Sequence, residues 1–574
     1  MFCRRERNSL IAVILLSYGL GACGKQAPRT PPRYAIVRFE NLSGDPALEW
    51  MARGTAEYLT RSLARALDGP VLNTTALARS AAGLGAEPSG APGASAERTD
   101  ALAAGATRLI SGSIEKAGSR IRVAATEEDL VSHKTVRIVT AMQPGAFTAI
   151  QELAREIAPS ASRGLTRDGN VLRLYSTSLE EPFTAAVSDL EKTVQHDPDF
   201  GPAWVALVNA AQRRGDRSGA LDLIAKAATH KLDPLDRANL DLLSATLKNE
   251  RKGRVEALKR VAALSPGDAG LLRSLGELES AEGQFAEAAK TWKKLEDFLP
   301  NDTDALNQMG YNRAWSGDYP GALEALKQYA QQRPADPNPL DSTGDVQYIY
   351  RKFSDAAASY LQANAKNPEF QSGGDLYKAA WAQFRAGDKA KADATFAQFR
   401  AVREKDKADA GILDLFNADW LYRTGRTKDA VALLRKSAAS PGVSSQLAIW
   451  DLLAGDRAAS VKDLAGITQI QSAAVLIAKF VTLPTAAAAE WKERSERSIH
   501  GAGAETLRRL ALGYALVLDG KKEAARSVWQ EIADAAPATD FFSRALLASL
   551  RGEQPKFELL PDPANVNQMR ALVR

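Results

Sequence analysis

Prolines recur every 34 residues through the middle of this chain. Pro266, Pro300, Pro334 and Pro368 are each separated by 34 residues, and the same spacing reaches back two periods to Pro198. A period of this length predicts a stack of paired helices, because one helix–turn–helix unit occupies it and cannot bury its apolar face alone. A stack of this kind presents an extended surface, so the period favours binding over catalysis.

Other positions follow the same period. Small residues stand twelve positions before each expected proline, where the two helices of a unit would cross closely: Ala186, Ala220, Ala288, Ala322 and Ala356. Large apolar residues follow four positions later, to fill the space between the helices: Leu190, Ile224, Trp292, Leu326 and Tyr360. Packing positions of the first helices hold Trp204, Leu207, Gly276, Gly310 and Gly344, and the turns within units hold Gly215, Gly283 and Gly317. Glycine suits such turns because it adopts a positive φ at little cost.

These positions resemble the tetratricopeptide repeat, and the resemblance implies an α-solenoid whose first helices line a concave groove. The pattern has defects: Arg254 replaces a small residue, Pro234 comes two residues late, and the register slips by about two after Pro368 to give Ala392 and Phe396. Further units are predicted at 409–442 and 504–537, with one or two degenerate units over 443–503. The total is about nine or ten units.

The phase of the repeat also predicts which side chains face the groove. These positions combine aromatic, acidic, amide and basic side chains: Arg273, Asn307, Tyr311, Trp315, Asp341, Asp345, Tyr348, Tyr377 and Trp381. Aromatic anchors flanked by polar groups are typical of peptide-binding surfaces, although the same rings are equally suited to packing between repeats. The basic residues with which some such repeats hold a terminal carboxylate are absent, so Asp341 and Asp345 favour a basic or polar ligand segment.

The beginning of the chain reads as a targeting segment. Arg4, Arg5 and Arg7 precede an apolar run at 10–16 that is too short to span a bilayer. Leu20-Gly21-Ala22-Cys23 then resembles the lipobox of bacterial lipoproteins, which implies a signal peptide over 1–22 and a lipid-modified Cys23. Gly24 is not the Asp that retains such proteins in the inner membrane, so the resemblance implies the outer membrane, facing the periplasm. The alternative is an ordinary secretory signal with an incidental cysteine.

A small α/β domain is predicted between a Pro-rich tether at 23–33 and the repeats. Apolar alternation predicts strands at 34–39, 108–114, 120–125 and 135–140, with helices at 47–67 and 145–165 and a flexible excursion at 80–98. The segments FENLSGDP (39–46) and LISGSIEKAGSRIRVAA (109–125) resemble the TolB-type amino-terminal domain, over 34–165. The chain departs from that family at 130–135, where LVSHKT replaces a glycine-containing hairpin. The resemblance carries no catalytic residue.

Several classes of function lack support in the sequence. Cys3 and Cys23 are the only cysteines, and the four histidines are scattered without metal-ligand spacing. No nucleotide-binding, serine-hydrolase or metalloprotease motif occurs. The net charge of +5 over 574 residues gives no electrostatic reason to expect nucleic acid. We therefore expect no enzyme activity, no cofactor, no metal and no nucleic-acid partner.

The sequence as a whole predicts a mainly α protein: a tetratricopeptide-repeat α-solenoid preceded by a small α/β domain. Repeats occupy 171–442, degenerate and terminal repeats 443–553, and a tail 554–574. The predicted function is that of a lipid-anchored envelope scaffold that binds protein or peptide segments in its groove. The alternative is a ligand-sensing or export/polysaccharide-secretion accessory protein that acts through its amino-terminal domain; an enzyme of unrecognised type is a third class.

Overall fold

The computed structural model describes residues 31–72, 77, 94–162, 166–406, 410–437, 440–468, 470, 472–498 and 504–536, and a few isolated residues after 536. The signal segment with Cys23, most of the tether and the tail at 554–574 lie outside the described residues. None of the helices in the described ranges is long and apolar enough to cross a membrane.

The amino-terminal unit is a mixed sheet with helices on both faces. Its elements, in chain order, are β1 (Tyr34–Ile36), β2 (Glu40–Asn41), α1 (Trp50–Leu63), β3 (Val71–Leu72), α2 (Ala94–Ala103), β4 (Arg108–Ala117), β5 (Arg120–Asp129), β6 (Lys134–Gln143) and α3 (Ala146–Ile157). The strand order is β3-β1-β4-β5-β6, with β2 paired to β4. Strands β3, β1 and β4 are parallel, whereas β4, β5 and β6 form an antiparallel meander.

The two faces of this sheet are covered unequally. Helices α1 and α3 cover the inner face, where Ile36, Ile110 and Val123 are buried. On the outer face Ala101 of α2 belongs to a smaller core with Leu109, which covers only the end of the sheet near β1 and β3. None of the described helices covers the outer face of β6.

The sequence predicted most of this unit. The three long strands are confirmed and extend beyond their predicted ends, and the predicted helices shorten to α1 and α3. The strand predicted at 34–39 is shortened to Tyr34–Ile36 (β1), and neither β2 nor β3 was predicted. Residues 94–98 of the predicted excursion are helical because they begin α2, whose Ala101 packs on the sheet. In the hairpin that departs from the TolB-type family, His133 adopts a positive φ of 56° in place of glycine.

The remainder of the described chain is an array of helix pairs. The pairs are α4/α5 (Gly169–Ser178, Phe183–His196), α6/α7 (Gly201–Arg213, Arg217–Ala227), α8/α9 (Pro234–Leu247, Arg251–Leu264), α10/α11 (Ala269–Ala281, Phe285–Phe298), α12/α13 (Thr303–Trp315, Tyr319–Gln332), α14/α15 (Asn338–Ile349, Phe353–Lys366), α16/α17 (Gly374–Arg385, Lys389–Lys405), α18/α19 (Ala410–Arg423, Thr427–Lys436), α20/α21 (Pro441–Leu453, Arg457–Ala465), α22/α23 (Ala473–Thr482, Pro484–Ser498) and α24/α25 (Ala504–Leu518, Lys522–Ala535). The described residues thus form eleven pairs, rather than the nine or ten units expected. The segment at 443–503, whose pattern is degenerate, contains most of α20 and all of α21–α23.

Most repeat positions pack as the sequence predicted, although Ala186 and Ile224 are only half-buried. Alanines 220, 288, 322 and 356 are fully buried. A Cβ atom added at Gly276, Gly310 or Gly344 would lie 2.5–2.9 Å from the large side chain of the second helix, which is Trp292, Leu326 or Tyr360. The turn glycines 215, 283 and 317 have φ of 73°, 74° and 96°. These contacts explain why the pattern alternates small and large residues.

The register slip after Pro368 has a local structural cause. Gln371, Ser372 and Gly373 have φ of 50°, 52° and 76°, three consecutive left-handed residues in the connection between α15 and α16. The inserted residues are therefore absorbed before α16 begins. Ala392 and Phe396 of α17 are buried in the shifted register.

First helices and second helices contact their equivalents in neighbouring units unequally. First helices touch at α6–α8, α12–α14, α20–α22 and α22–α24, whereas within the described ranges no neighbouring second helices make contacts of that extent. A stack whose first helices lie closer together curves toward them. The first helices therefore line the inner side of the array.

The α/β domain packs against the beginning of the array. Leu172 of α4 belongs to the core of the α/β domain. Arg61 of α1 pairs with Asp236 of α8, and Arg38 pairs with Glu180 at 2.7 Å. The Arg33 guanidinium lies over the ring of Phe298 at 4.6 Å. The domain thus contacts several successive repeat units.

Candidate groove site

Charged and phenolic side chains converge where α12, α14 and α16 meet. We call this set the acid–lysine cluster: Tyr311, Asp341, Asp345, Tyr360, Asp375 and Lys378. The Lys378 ammonium lies 2.7 Å from Asp341 Oδ1 and 3.0 Å from Asp345 Oδ1. The hydroxyls of Tyr311 and Tyr360 donate to Asp345 Oδ2 and Oδ1, each at 2.8 Å. Consecutive first helices supply most of these groups because their repeat positions lie side by side on the inner face.

Burial controls the protonation of this cluster. Asp375 is 1 % exposed, and neither of its carboxyl oxygens accepts a hydrogen bond from the described residues. Burial, together with the neighbouring Asp341 carboxylate, raises the pKa of Asp375 to about 8 against the opposing charge of Lys378. The raised pKa favours the protonated form of Asp375 near pH 7. The cluster thus sets three carboxyl groups beside one ammonium group.

The phenols hold Asp345 in place. Burial and the nearby Asp345 carboxylate raise the pKa of Tyr311 and Tyr360 well above the ordinary value, so both hydroxyls stay protonated donors. Burial also raises the pKa of Asp345, although the Lys378 ammonium opposes it. For Lys378, burial lowers the pKa but the Asp345 and Asp341 carboxylates outweigh it and keep the ammonium charged.

A second group of side chains lies beside this cluster on the following units. We call it the aromatic cluster: Tyr377, Trp381, Phe384, Phe396, Phe399, Phe416 and Trp420. Trp381 meets Trp420 edge to face at 4.8 Å, and Phe396 stacks on Trp420 at 4.6 Å. Burial raises the pKa of Tyr377 to about 12. Tyr377 and Trp381 are half-buried and join α16 to α17 and α18, so they serve packing between units while keeping part of each ring exposed.

The other predicted groove residues lie on α10, α12 and α14, in the unit before the acid–lysine cluster and within its own units. Arg273 forms ion pairs with Asp302 and Asp304 of the next unit. Asn307 is half-buried, and its Oδ1 has no hydrogen-bond partner among the described residues. Trp315 stacks on Tyr311 at 5.6 Å, and Tyr348 meets Phe353 edge to face at 5.1 Å. The structure therefore brings Tyr311, Asp341 and Asp345 into one cluster and distributes the remaining six residues on either side of it.

Sequence reasoning did not select several residues of this region. Lys378 and Asp375 complete the acid–lysine cluster, and Asp419 pairs with Arg423 at 2.8 Å beside the aromatic cluster. One feature of the sequence could have indicated Lys378. It follows Asp345 by nearly one repeat period, and without the register slip it would occupy a position where the repeat requires a small residue. The slip at 371–373 obscured that relation.

The α/β domain contains a separate cavity of about 250 Å³. Its wall includes Tyr58, Gln151, Arg155, Ser162 and Arg167. The wall carries two guanidinium groups and several neutral polar groups, and the Arg155 guanidinium is paired with Glu152 at 2.9 Å. Within the described residues no group of three or more His, Cys, Asp or Glu side chains is arranged to hold a metal ion.

Comparison with known proteins agrees with the repeat architecture. A tetratricopeptide repeat family model matches residues 376–402, which cover most of α16 and α17. The chain is 26 % identical over 194 residues to the TPR repeat-containing protein PA4667 of Pseudomonas aeruginosa, a match that spans 33 % of each protein. The chain therefore covers only about a third of the length of this curated relative.

Solved structures of repeat proteins are also similar to parts of the chain. They include MamA (17 % identity, 30 % of this chain and 94 % of that one, TM-score 0.26). A tetratricopeptide repeat protein from Parabacteroides merdae is 14 % identical and covers 49 % of this chain and 99 % of its own, with a TM-score of 0.30. The C-terminal part of a TPR repeat-containing protein from Cytophaga hutchinsonii is 13 % identical, with 42 % and 97 % coverage and a TM-score of 0.33. Scores of this size carry no conclusion about function.

The stacked helix pairs and their small-to-large packing define an α-solenoid, and residues 376–402 within it match the tetratricopeptide repeat model. Its array is preceded by a small α/β unit built on a six-stranded sheet.

Proposed function

We propose that this protein is a lipid-anchored scaffold of the bacterial cell envelope that binds protein segments along the inner side of its repeat array. The observation that carries the proposal is the line of polar and aromatic side chains on successive first helices, from Arg273 to Trp381. Such a surface binds through preformed contacts and needs no cofactor. Binding rather than catalysis is the expected role of the repeats.

The chemistry of the acid–lysine cluster indicates what kind of segment would bind. Its acidic character favours a basic or polar segment, because three carboxyl groups lie beside the single ammonium group of Lys378. Half-buried rings on either side, Trp315 and Trp381, would contact apolar parts of the same segment. Rings of this kind supply much of the binding energy in peptide-recognition surfaces.

Site-specific photo-crosslinking tests the groove without disturbing the packed rings. A photoreactive residue is placed at Glu277, an exposed position of first helix α10, and, as a control, at Lys290, an exposed position of second helix α11. We expect the Glu277 probe to capture an envelope protein that the Lys290 probe does not. Equal capture by both, or capture by Lys290 alone, would show that the inner side is not the binding surface.

The anchor has its own test. The lipobox resemblance at 20–23 supports attachment of lipid to Cys23 and a location at the outer membrane facing the periplasm. We expect Cys23→Ala to leave the precursor unprocessed or to release the protein from the membrane fraction. Normal processing with full membrane retention would contradict the lipid anchor. The proposal that the groove binds protein segments would not be affected.

A second candidate function is favoured by the cavity of the α/β domain. In that case the domain, which resembles the TolB type, would sense an anionic small molecule or serve an export or polysaccharide-secretion apparatus, with the repeats as an arm. Arg155 and Arg167 would bind the anion. Isothermal titration of the full chain with inorganic phosphate, compared with an Arg155→Ala/Arg167→Ala variant, tests it: binding that the variant loses supports a sensor, and no binding by either protein argues against this candidate.

A further inference from the structure

Among the described residues, the last strand of the sheet has one edge and one face that no other element covers. Strand β6 pairs with β5 on one side, and no other strand or loop of the described chain hydrogen-bonds to its backbone on the other side. On its outer face Ile138 is 68 % exposed and Met142 38 % exposed, with Thr140 exposed between them. A long edge strand with exposed apolar side chains is a ready template for pairing with another strand.

The regular part of this edge is short and well defined. A β-bulge lies where Glu128 pairs with Thr135 and Glu127 with Arg137, so Val136 is the extra residue. From Arg137 to Gln143 the register with β5 is unbroken. Residues 137–143 are therefore the part of the edge that can continue the sheet.

We propose that two copies of this chain pair through residues 137–143 of β6, antiparallel and about a two-fold axis at Thr140. In this register Ile138 of each copy stands opposite Met142 of the other, and Val139 stands opposite Ala141. Arg137 stands opposite Gln143, so no like charges face each other. Thr140 faces its own equivalent, and threonine pairs are among the favourable cross-strand pairs.

The self-complementary pattern is what identifies the occupant as a second copy. A two-fold axis requires that one surface fit itself, and a strand centred on Thr140 satisfies this at every position. On the outer face, the cross-strand neighbours of Thr140 are the small residues Ala124 and Ser113. Arg122, opposite Met142, is paired with Glu115 of β4 at 3.2 Å. The pairing joins the two sheets into one continuous sheet and covers the exposed apolar stripe of both copies.

The size of the contact sets the expected strength. A seven-residue strand pair buries less than the roughly 1,600 Å² of a standard protein interface. We therefore expect a reversible dimer whose dissociation constant lies in the micromolar range. Analytical ultracentrifugation of the full-length chain in detergent, over a concentration series that brackets this range, measures it.

Cysteine cross-linking tests the register. In a full-length chain with Cys3→Ser and Cys23→Ser, the natural thiols are removed and Thr140→Cys supplies a single one. Opposed residues of antiparallel strands have Cα atoms about 4.5–5.5 Å apart, within the range of a disulfide. Thr140→Cys should therefore form a disulfide-linked dimer on mild oxidation. Val131→Cys, at a position 76 % exposed but distant from the axis, should not.

A charge variant supplies the second test. Thr140→Lys places two ammonium groups opposite each other at the axis, and we expect the dissociation constant to rise about fivefold or more. Because Thr140 is exposed, the monomer should fold as before, which circular dichroism checks. The proposal would be overturned by a chain that stays monomeric through the series and whose Thr140→Cys variant forms no disulfide. A dimer unaffected by Thr140→Lys, or equal cross-linking by Val131→Cys, would overturn it as well. None of these results bears on the groove.

Discussion

At the scale of single residues, Asp375 shows how burial changes the chemistry of an ordinary side chain. Its pKa is raised to about 8, whereas an unfolded aspartate titrates near ~4. The folded protein therefore binds a proton that the unfolded chain releases between these values. Stability contributed by the protonated form is present at low pH and is lost as pH rises toward 8.

We accordingly expect Asp375→Asn to raise the free energy of unfolding more at pH 8 than at pH 5. The difference between the two pH values should be roughly 2–4 kcal/mol, since one pKa unit corresponds to about 1.4 kcal/mol. An amide keeps the shape of the protonated acid and cannot ionise. Urea unfolding of wild type and variant at the two pH values measures the difference. Asp222→Asn, the same change at an exposed position, is the matched control. An equal effect of Asp375→Asn at both pH values would contradict the raised pKa.

At the scale of helix elements, the crossing within each unit depends on a missing side chain. At Gly344 an added Cβ would lie 2.5 Å from the Tyr360 ring, and that ring is held by its hydrogen bond to Asp345. Gly344→Ala should therefore destabilise the protein by about 1–3 kcal/mol, the usual cost of overpacking. Chemical denaturation measures it.

Gly253→Ala is the matched control for that substitution. Gly253 lies inside α9, and a Cβ there would be no closer than 3.3 Å to its neighbours. Alanine is the better helix former, by up to about 1 kcal/mol, so this variant should be neutral or more stable. Equal losses at Gly253 and Gly344 would show that the close crossing is not the cause.

The helix elements also show what the sequence revealed and what it concealed. The alternation of Gly310 with Leu326 predicted both helices and their contact, because the pattern follows from packing inside one unit. The acid–lysine cluster was only partly predicted, because Lys378 meets Asp341 and Asp345 across units after a slip in register. The slip depends on the positive φ values of the residues at 371–372. Neither of these residue types is one that favours a positive φ.

At the scale of the whole molecule, buried ion pairs join the α/β domain to the array. Arg61 pairs with Asp236, whose side chain is 3 % exposed. Removing one partner of such a pair leaves an uncompensated charge and costs about 3–5 kcal/mol, whereas replacing both by apolar residues is often neutral. We expect Arg61→Met to be strongly destabilising and Arg61→Met/Asp236→Leu to recover most of the loss.

A double-mutant cycle in urea measures this coupling, and the exposed pair of Arg260 with Asp241 is its control. Exposed pairs contribute about 0–1 kcal/mol, so the control cycle should show little coupling. Similar coupling energies in the two cycles would mean that the domain does not bury Arg61 against the array.

The two ends of a long stretch of the array also meet, and no sequence pattern indicates it. Arg251 of α9 donates hydrogen bonds to the carbonyl oxygens of Asp534 and Ala536 at the end of α25, the first of them 283 residues away in sequence. A guanidinium suits this position because the last carbonyl groups of a helix lack partners within it. Arg251 also pairs with Glu282, so its orientation is fixed within the array.

If this contact closes the array, Arg251→Ala should open it. The variant loses charge-assisted hydrogen bonds between the ends but no packing within a helix pair, so helix content should stay constant while the radius of gyration from small-angle X-ray scattering increases. Arg260→Ala removes an exposed arginine of the same helix and should leave the radius unchanged. An unchanged radius in Arg251→Ala would mean that stacking between successive units alone fixes the curvature. An increase would show that the inner side is enclosed by a contact between its ends, so that a bound segment must enter along the axis or wait for the ends to separate.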